Sequence, residues 1–424
     1  MRLFVAIALT LLTMSPLAAG ENWPAFRGPN GDGVSTARNL PTTWTETENV
    51  LWKVPVHDKG WSSPVVWGNQ VWLTTAKVDG KAFYAVAFDV ETGKVIHDLK
   101  VFTAENPTNI SQYNSFASPT PVIEDGRIYV HFGSFGTACL DTASGKEIWR
   151  KTDLPCDHFR GPASSPVVHG DRLFLLFDGY DKQYAVALDK KTGDVIWKKD
   201  RVLPYPENGD LKKAFATPSV FEVDGKLQVV CSAAMGTIAH DAATGEEIWR
   251  VIHGGMNEAC RPVLRHGLIY LTTGHTSNLI AVKAGRSGDL TKDGIAWRAD
   301  KVGPTRPSPL VIGDELYMVN DTGIMFCLDA KTGTKHWQER LDGKFSASPL
   351  FADGNIYCLA ENGKVFVVKA SKEYTPIATN RLDLTPATAA DGLKIDPRCM
   401  ASPAAVDGKL FLRNHTHLYC IGKK

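Results

Sequence analysis

Residues 187–197, ALDKKTGDVIW, return along the chain in altered copies: ACLDTASGKEIW ending at Trp149, AHDAATGEEIW ending at Trp249 and FCLDAKTGTKHW ending at Trp337. Each copy has the same parts. An apolar run enters a tight turn, glycine supplies the positive φ that the turn needs, and the aspartate caps it through its side chain. A second run then leaves the turn and carries a tryptophan. Recurrence at this scale marks a structural unit repeated around one core.

A second marker counts the units. Small-residue segments end in proline at Pro64, Pro119, Pro166, Pro218, Pro262, Pro309, Pro349 and Pro403, spaced 40 to 55 residues apart. Four short apolar runs follow each marker, which is the signature of a propeller blade. Proline lacks an N–H, so within a sheet it belongs on an edge, and the innermost strand of a blade is an edge facing the channel. Trp149, Trp197, Trp249, Trp297 and Trp337 then fall on outermost strands, where a large ring fills the wedge between blades. The last unit stops one strand short, and residues 50–56 (VLWKVPV) read as that strand. The expected fold is all-β, an eight-bladed β-propeller whose ring is closed by an N-terminal strand.

Residues 1–20 read as an export signal, with Arg2, an apolar run over residues 3–14 and the small residues Ala18, Ala19 and Gly20. The expected division is signal peptide 1–20, N-terminal extension 21–49 and propeller 50–424. No cysteine stands at the cleavage site, so the expected address is periplasmic or secreted. The apolar run is shorter than a membrane span and no later one is longer. With 47 basic and 46 acidic residues and no basic block, nothing points to nucleic acid or an anionic membrane. Eight cysteines in an exported chain leave one or two disulfides open. Cys139, Cys327 and Cys420 occupy equivalent slots and read as small buried hydrophobes.

The pattern A-x-D-x-x-T-G-K-x-x-W resembles the tryptophan-docking motif of the pyrroloquinoline-quinone (PQQ) dehydrogenase propellers. It matches best at residues 87–97, 139–149, 187–197, 239–249 and 327–337, with His97 in place of the first tryptophan. The resemblance covers nearly the whole chain after residue 20 and implies the quinoprotein alcohol dehydrogenase-like fold. In that superfamily the quinone is held by a vicinal cysteine pair, a stacking tryptophan, and Glu, Asn and Asp around calcium. No Cys-Cys pair is present here. The repeat also resembles the BamB family of outer-membrane assembly lipoproteins, whose members bind other proteins. Residues 23–33 (WPAFRGPNGDG), with Trp61-Ser-Ser-Pro64, resemble the start of a group of exported bacterial PQQ-like repeat proteins.

Loops before the inner strands share one rim of the channel, with the loops joining strands two and three. That rim is expected to carry Trp61, Tyr113, Asn114, Phe116, His158, Arg160, Lys213, Phe215, Glu258, Arg261, Arg306, Arg398 and Met400, with His275, Asn320, Asp321, His415 and His417 from the other loop set. Arg160, Arg261, Arg306 and Arg398 each shortly precede a marker, so four guanidiniums are placed to converge on an anion. The competing reading pairs each with a local acid such as Asp157, Glu258, Asp300 or Asp396. Trp61, Phe116 and Phe215 stand three residues before a marker, as a stacking platform or as packing. No third ligand accompanies the pair His415 and His417, so no metal site is assigned. Neither a G-x-S-x-G elbow nor a catalytic residue is assigned. Gly28 to Gly33 neither follows a strand nor opens a helix, which argues against a phosphate loop.

These readings give a binding or scaffold module that recognises, through its rim, a protein partner or an anionic ligand such as an acidic or sulfated glycan. The alternative is a PQQ- and calcium-dependent dehydrogenase of alcohols or sugars, with rim arginines on the quinone carboxylates and Asn114 or Glu258 on calcium.

Overall fold

The computed structural model describes residues 21–423; the expected signal peptide, 1–20, lies outside the described residues. Eight antiparallel sheets surround one axis, and each runs outward in sequence order from a short inner strand. Blade 1 is Val65–Trp67, Gln70–Ala76, Ala82–Asp89 and Val95–Thr103. Inner strands open the others at Val122, Val167, Ser219, Val263, Leu310, Leu350 and Ala404. Blade 8 takes its outer strand from Val50–Pro55, which pairs antiparallel with His417–Gly422. The insertion in blade 5 leaves Gly288–Asp289 as a fifth strand on blade 4.

The ALDKKTGDVIW turn locks neighbouring blades together. Asp189 Oδ1 accepts the N–H groups of Lys191 and Thr192. Gly193 has φ +79, and a Cβ there would stand 2.7 Å from the Trp149 ring of the preceding blade. That indole also donates to Lys190 O at 3.0 Å. Glycine therefore answers two demands at once, a left-handed backbone and a flat seat for an aromatic ring. The arrangement repeats for Trp197 on Ala242 O, Trp297 on Ala330 O and Trp337 on Ser371 O. Trp52, on the closing strand, does the same to Val90 O and joins blade 8 to blade 1. Trp249 differs. It donates to Gln228 in its own sheet, because blade 5 has lost the receiving turn to its insertion.

One marker shifts. In blade 2 the inner strand Val122–Glu124 follows Pro121, so Pro121 and not Pro119 is the counterpart of Pro64 before Val65–Trp67. Two prolines two residues apart both fit an edge, and only the strand register separates them. All eight cysteines are buried free thiols, so none of the bridges left open forms. Among the described residues no helix is long and apolar enough to cross a membrane.

Residues 21–49 cross the channel on the face of the Asp-x-x-Thr-Gly turns. Trp23 pairs with Val66 of blade 1, and Pro24 O accepts Ile123 N of blade 2. Past the axis the chain returns to the neighbours of blade 1, where Val34 pairs with Phe351 of blade 7 and Ser35 Oγ donates to Ala405 O of blade 8. Between these anchors the Phe26–Asp32 stretch lies over the axis. Arg27, 2% exposed, donates to the carbonyls of Gly31, Asp32, Ser308 and Pro309. The extension thus stoppers one end of the channel.

Candidate functional site

Strand alternation decides which marker residues see the axis. The residue three places before each marker proline points inward, as does the residue one place before it in six of the eight units, and the one between them packs into the sheet. The outer ring is Trp61, Ser118, Ala163, Phe215, Ala259, Arg306, Ser346 and Met400, and all eight line a cavity of about 1060 Å³. Ser63, Thr120, Ser165, Thr217, Ser348 and Ser402 line it one step deeper, and Phe26 of the stopper is its floor. The channel is therefore a blind funnel, open on the face opposite the tryptophan-docking turns.

The deeper ring is a hydrogen-bonded belt. Ser63 N donates to Thr120 Oγ1 at 2.9 Å, Thr120 N to Ser165 Oγ at 3.0 Å, and Ser165 N to Thr217 Oγ1 at 3.0 Å. Across the ring Arg261 N donates to Ser308 Oγ, Ser308 N to Ser348 Oγ and Ser348 N to Ser402 Oγ, each at 2.9 Å. Ser402 N closes on Ser63 Oγ at 3.0 Å. A hydroxyl in this place gives the N–H of a neighbouring edge strand the partner that an inner strand otherwise lacks. Blade 5 alone puts another residue there, Arg261.

The four rim arginines do not converge as free cations. Arg261 is 6% exposed and lies behind the belt instead of on the rim. It donates to Phe26 O at 2.7 Å and to Ser219 Oγ at 3.2 Å, and it packs against Gly31 of the stopper. Position one before the proline is the buried belt level, which keeps the Arg261 guanidinium off the rim. Arg160 reaches Asp210 at 3.7 Å, a carboxylate that also holds the buried Lys213. Arg306 bonds Asp321 at 2.7 Å and Glu361 at 3.2 Å. Arg398 bonds Asp396 at 2.6 Å, reaches Glu361 at 3.7 Å and stacks over Tyr113, a cavity-lining residue. Of the acids expected as partners only Asp396 serves; Asp210, Asp321 and Glu361 come from neighbouring loops that distance in sequence conceals.

The aromatic set divides as well. Trp61 and Phe215 line the funnel, whereas Phe116 packs between blades 1 and 2 against Phe83 and Phe135. Its apparent equivalence followed from counting to Pro119; Ser118 holds the true counterpart. Asn114 reaches the wall but is a staple, donating to Arg160 O and Pro162 O and accepting from Ser115 N and Ser118 Oγ. His158 is buried, accepts Ser134 N, and burial holds its pKa down to about 4. His415 bonds Thr385 O, and His417 bonds Thr416 Oγ1.

Glu258 stands behind the wall between Asn257 and Ala259, 1% exposed. Oε1 accepts from Thr272 Oγ1 and Cys260 N, while Oε2 has no partner among the described residues. Burial is the largest cause pushing its pKa up to about 7.

The donor set does not fit a calcium–quinone pair. Calcium takes six to eight oxygens with several carboxylates. Asp210, Asp321 and Glu361 each carry a guanidinium or ammonium partner whose charge repels a cation. Among the described residues no three His, Cys, Asp or Glu side chains are grouped to hold a metal.

Two features escaped the reading of the sequence. The stopper has no periodicity to announce it. The belt had a signal, since Ser or Thr precedes the marker proline in seven of the eight units.

A family model described as outer membrane protein assembly factor BamB matches residues 46–287 and 288–373. Tetrathionate hydrolase of Acidithiobacillus ferrooxidans is 23% identical over 334 residues, 74% of this chain and 65% of that protein. BamB of Yersinia pestis is 24% identical over 251 residues, 58% of this chain and 60% of that protein. The chain thus spans 60% to 65% of the length of these two curated relatives. The quinohemoprotein alcohol dehydrogenase of Comamonas testosteroni has a similar fold, with TM-score 0.63, 11% identity, and 95% of this chain and 81% of that one covered.

Proposed function

The chain belongs to the PQQ-like propeller family whose model is described as outer membrane protein assembly factor BamB, and from that premise we propose a non-catalytic binding module that receives its ligand in the blind funnel. The ligand classes are a protein segment or an anionic molecule such as an acidic or sulfated glycan, and the place of action is the periplasm or the cell exterior. The single observation behind this reading is the stoppered channel. Its floor is the chain's own Phe26, its carboxylates are already paired, and its mouth offers Trp61, Phe215 and Tyr113 as faces for contact. A concave site with few placed polar groups around apolar faces is the usual form of a binding pocket.

The test compares residues 21–424 with an Ala163→Trp variant, whose indole fills the funnel from its wall. Both are titrated with acidic oligosaccharides, acidic peptides, and PQQ with calcium, and thermal stabilisation is the readout because a ligand of the folded state raises it. Stabilisation by a glycan or peptide that the variant lacks supports the module. Retained quinone with dye-linked alcohol oxidation overturns it in favour of a dehydrogenase.

A further inference from the structure

The belt hydroxyls have spare protons. Each of Ser63, Thr120, Ser165, Thr217, Ser348 and Ser402 uses its oxygen to accept a backbone N–H from a neighbouring blade. None of them donates to any acceptor among the described residues, and all are at least nine-tenths buried. A hydroxyl has one donor and two lone pairs, so these six side chains, on six of the eight blades, carry O–H groups free to turn toward the cavity they line.

Charge stands behind the same ring. Arg27, Arg261 and Arg413 are buried, and among the described residues no carboxylate lies within salt-bridge distance of any of them. Arg261 occupies the belt place of blade 5 and holds the floor residue through Phe26 O. Arg413 Nη1 bonds Ser62 O, Ser62 Oγ and Thr74 O, one residue away from Ser63. Arg27 braces the stopper beneath Phe26. Asp32 offsets part of the field at Arg27 and Arg261, and its carboxylate accepts Val34 N. Burial lowers the pKa of Arg27 and Arg261 to about 10 and that of Arg413 to about 9, and all three remain charged at neutral pH. Unpaired buried cations are costly, and a counter-ion nearby relieves that cost.

We propose that the base of the funnel is an oxyanion site, where the O–H ring takes the oxygens of a carboxylate, sulfonate or sulfate group and the buried arginines supply the opposing charge. This rests on the funnel being the binding site and names what its deepest point recognises. The oxyanion is either a free small anion or the end group of a longer chain entering from the mouth.

Methanesulfonate and dimethyl sulfone, nearly equal in shape but differing in charge, are titrated into residues 21–424 at ionic strength held constant with sodium chloride. Calorimetry and intrinsic tryptophan fluorescence are followed. Methanesulfonate is expected to bind saturably and at least tenfold more tightly than the sulfone. Thr217→Val should weaken it about tenfold, with Thr217→Ser restoring it. Competition by methanesulfonate against a sulfated oligosaccharide assigns the site to an end group; binding of the small anion without oligosaccharide binding assigns it to free anions. Equal affinity for sulfonate and sulfone, or binding no different from that of chloride, overturns the oxyanion site. If a longer ligand still binds wild type but not Ala163→Trp, the binding module survives that loss. Binding of every ligand unchanged in Ala163→Trp overturns both.

Discussion

Glu258→Gln changes one buried, half-unpartnered carboxyl into a neutral isostere, and its effect on stability follows from the burial of the group. A pKa raised from 4.5 to about 7 means that between those values the native state keeps a proton which the unfolded chain has released. Stability therefore falls as pH rises through that window and levels off above about 7. At 1.36 kcal/mol per unit the whole fall is about 3 kcal/mol. The variant lacks this term. It should match wild type near pH 4.5 and exceed it by about 3 kcal/mol at pH 8. Urea unfolding of both proteins at four pH values gives the difference. His131 and His158, which burial keeps neutral with pKa values of about 3 and 4, lose stability as pH falls below 6.5, and they do so in both proteins. Their contribution cancels in the comparison. A difference that stays flat from pH 4.5 to 8 refutes the reasoning, because it places Glu258 in contact with water or a cation.

Gly193→Ala puts a Cβ 2.7 Å from the Trp149 ring at φ +79, whereas Gly225→Ala meets nothing within 4 Å at φ +73. Denaturant midpoints should show a loss of about 1 kcal/mol for Gly225→Ala from backbone strain and at least twice that for Gly193→Ala; equal losses would remove the docking role of the turn. Arg27→Met leaves the buried carbonyls of Ser308 and Pro309 without their guanidinium, at a cost of about 3 kcal/mol. Limited proteolysis should then cut within residues 21–49 while the blades persist, and unchanged resistance would show that the stopper holds without this residue. Dithiothreitol should leave the melting temperature unchanged, because all eight thiols are free and buried; a drop would reveal a disulfide.

The repeat, the blade number and the closing strand were all legible in the sequence, because each depends on local chemistry. A turn needs its Asp and Gly wherever it occurs, a proline marks an edge strand, and an orphan strand at one end matches a vacancy at the other. The funnel was legible only in part. Alternation by two puts Trp61, Phe215 and Arg306 on the wall, yet a choice between Pro119 and Pro121 moves Phe116 from the wall into the sheet. Arg261 shows the same limit at the level of one residue, since its place beside Pro262 makes it part of the belt.

What the tertiary structure alone decided are contacts between segments far apart in the chain. Arg306 finds Glu361 because blades 6 and 7 stand side by side, and no spacing in the sequence encodes that pairing. Residues 26–32 carry neither a hydrophobic period nor a ladder of their own, and they take their shape from Ser308, Pro309 and Arg261. Local patterns specify a strand or a turn through forces acting over a few residues. The stopper, the belt and the buried arginines exist only where eight blades meet, since their hydrogen-bond partners come from other blades.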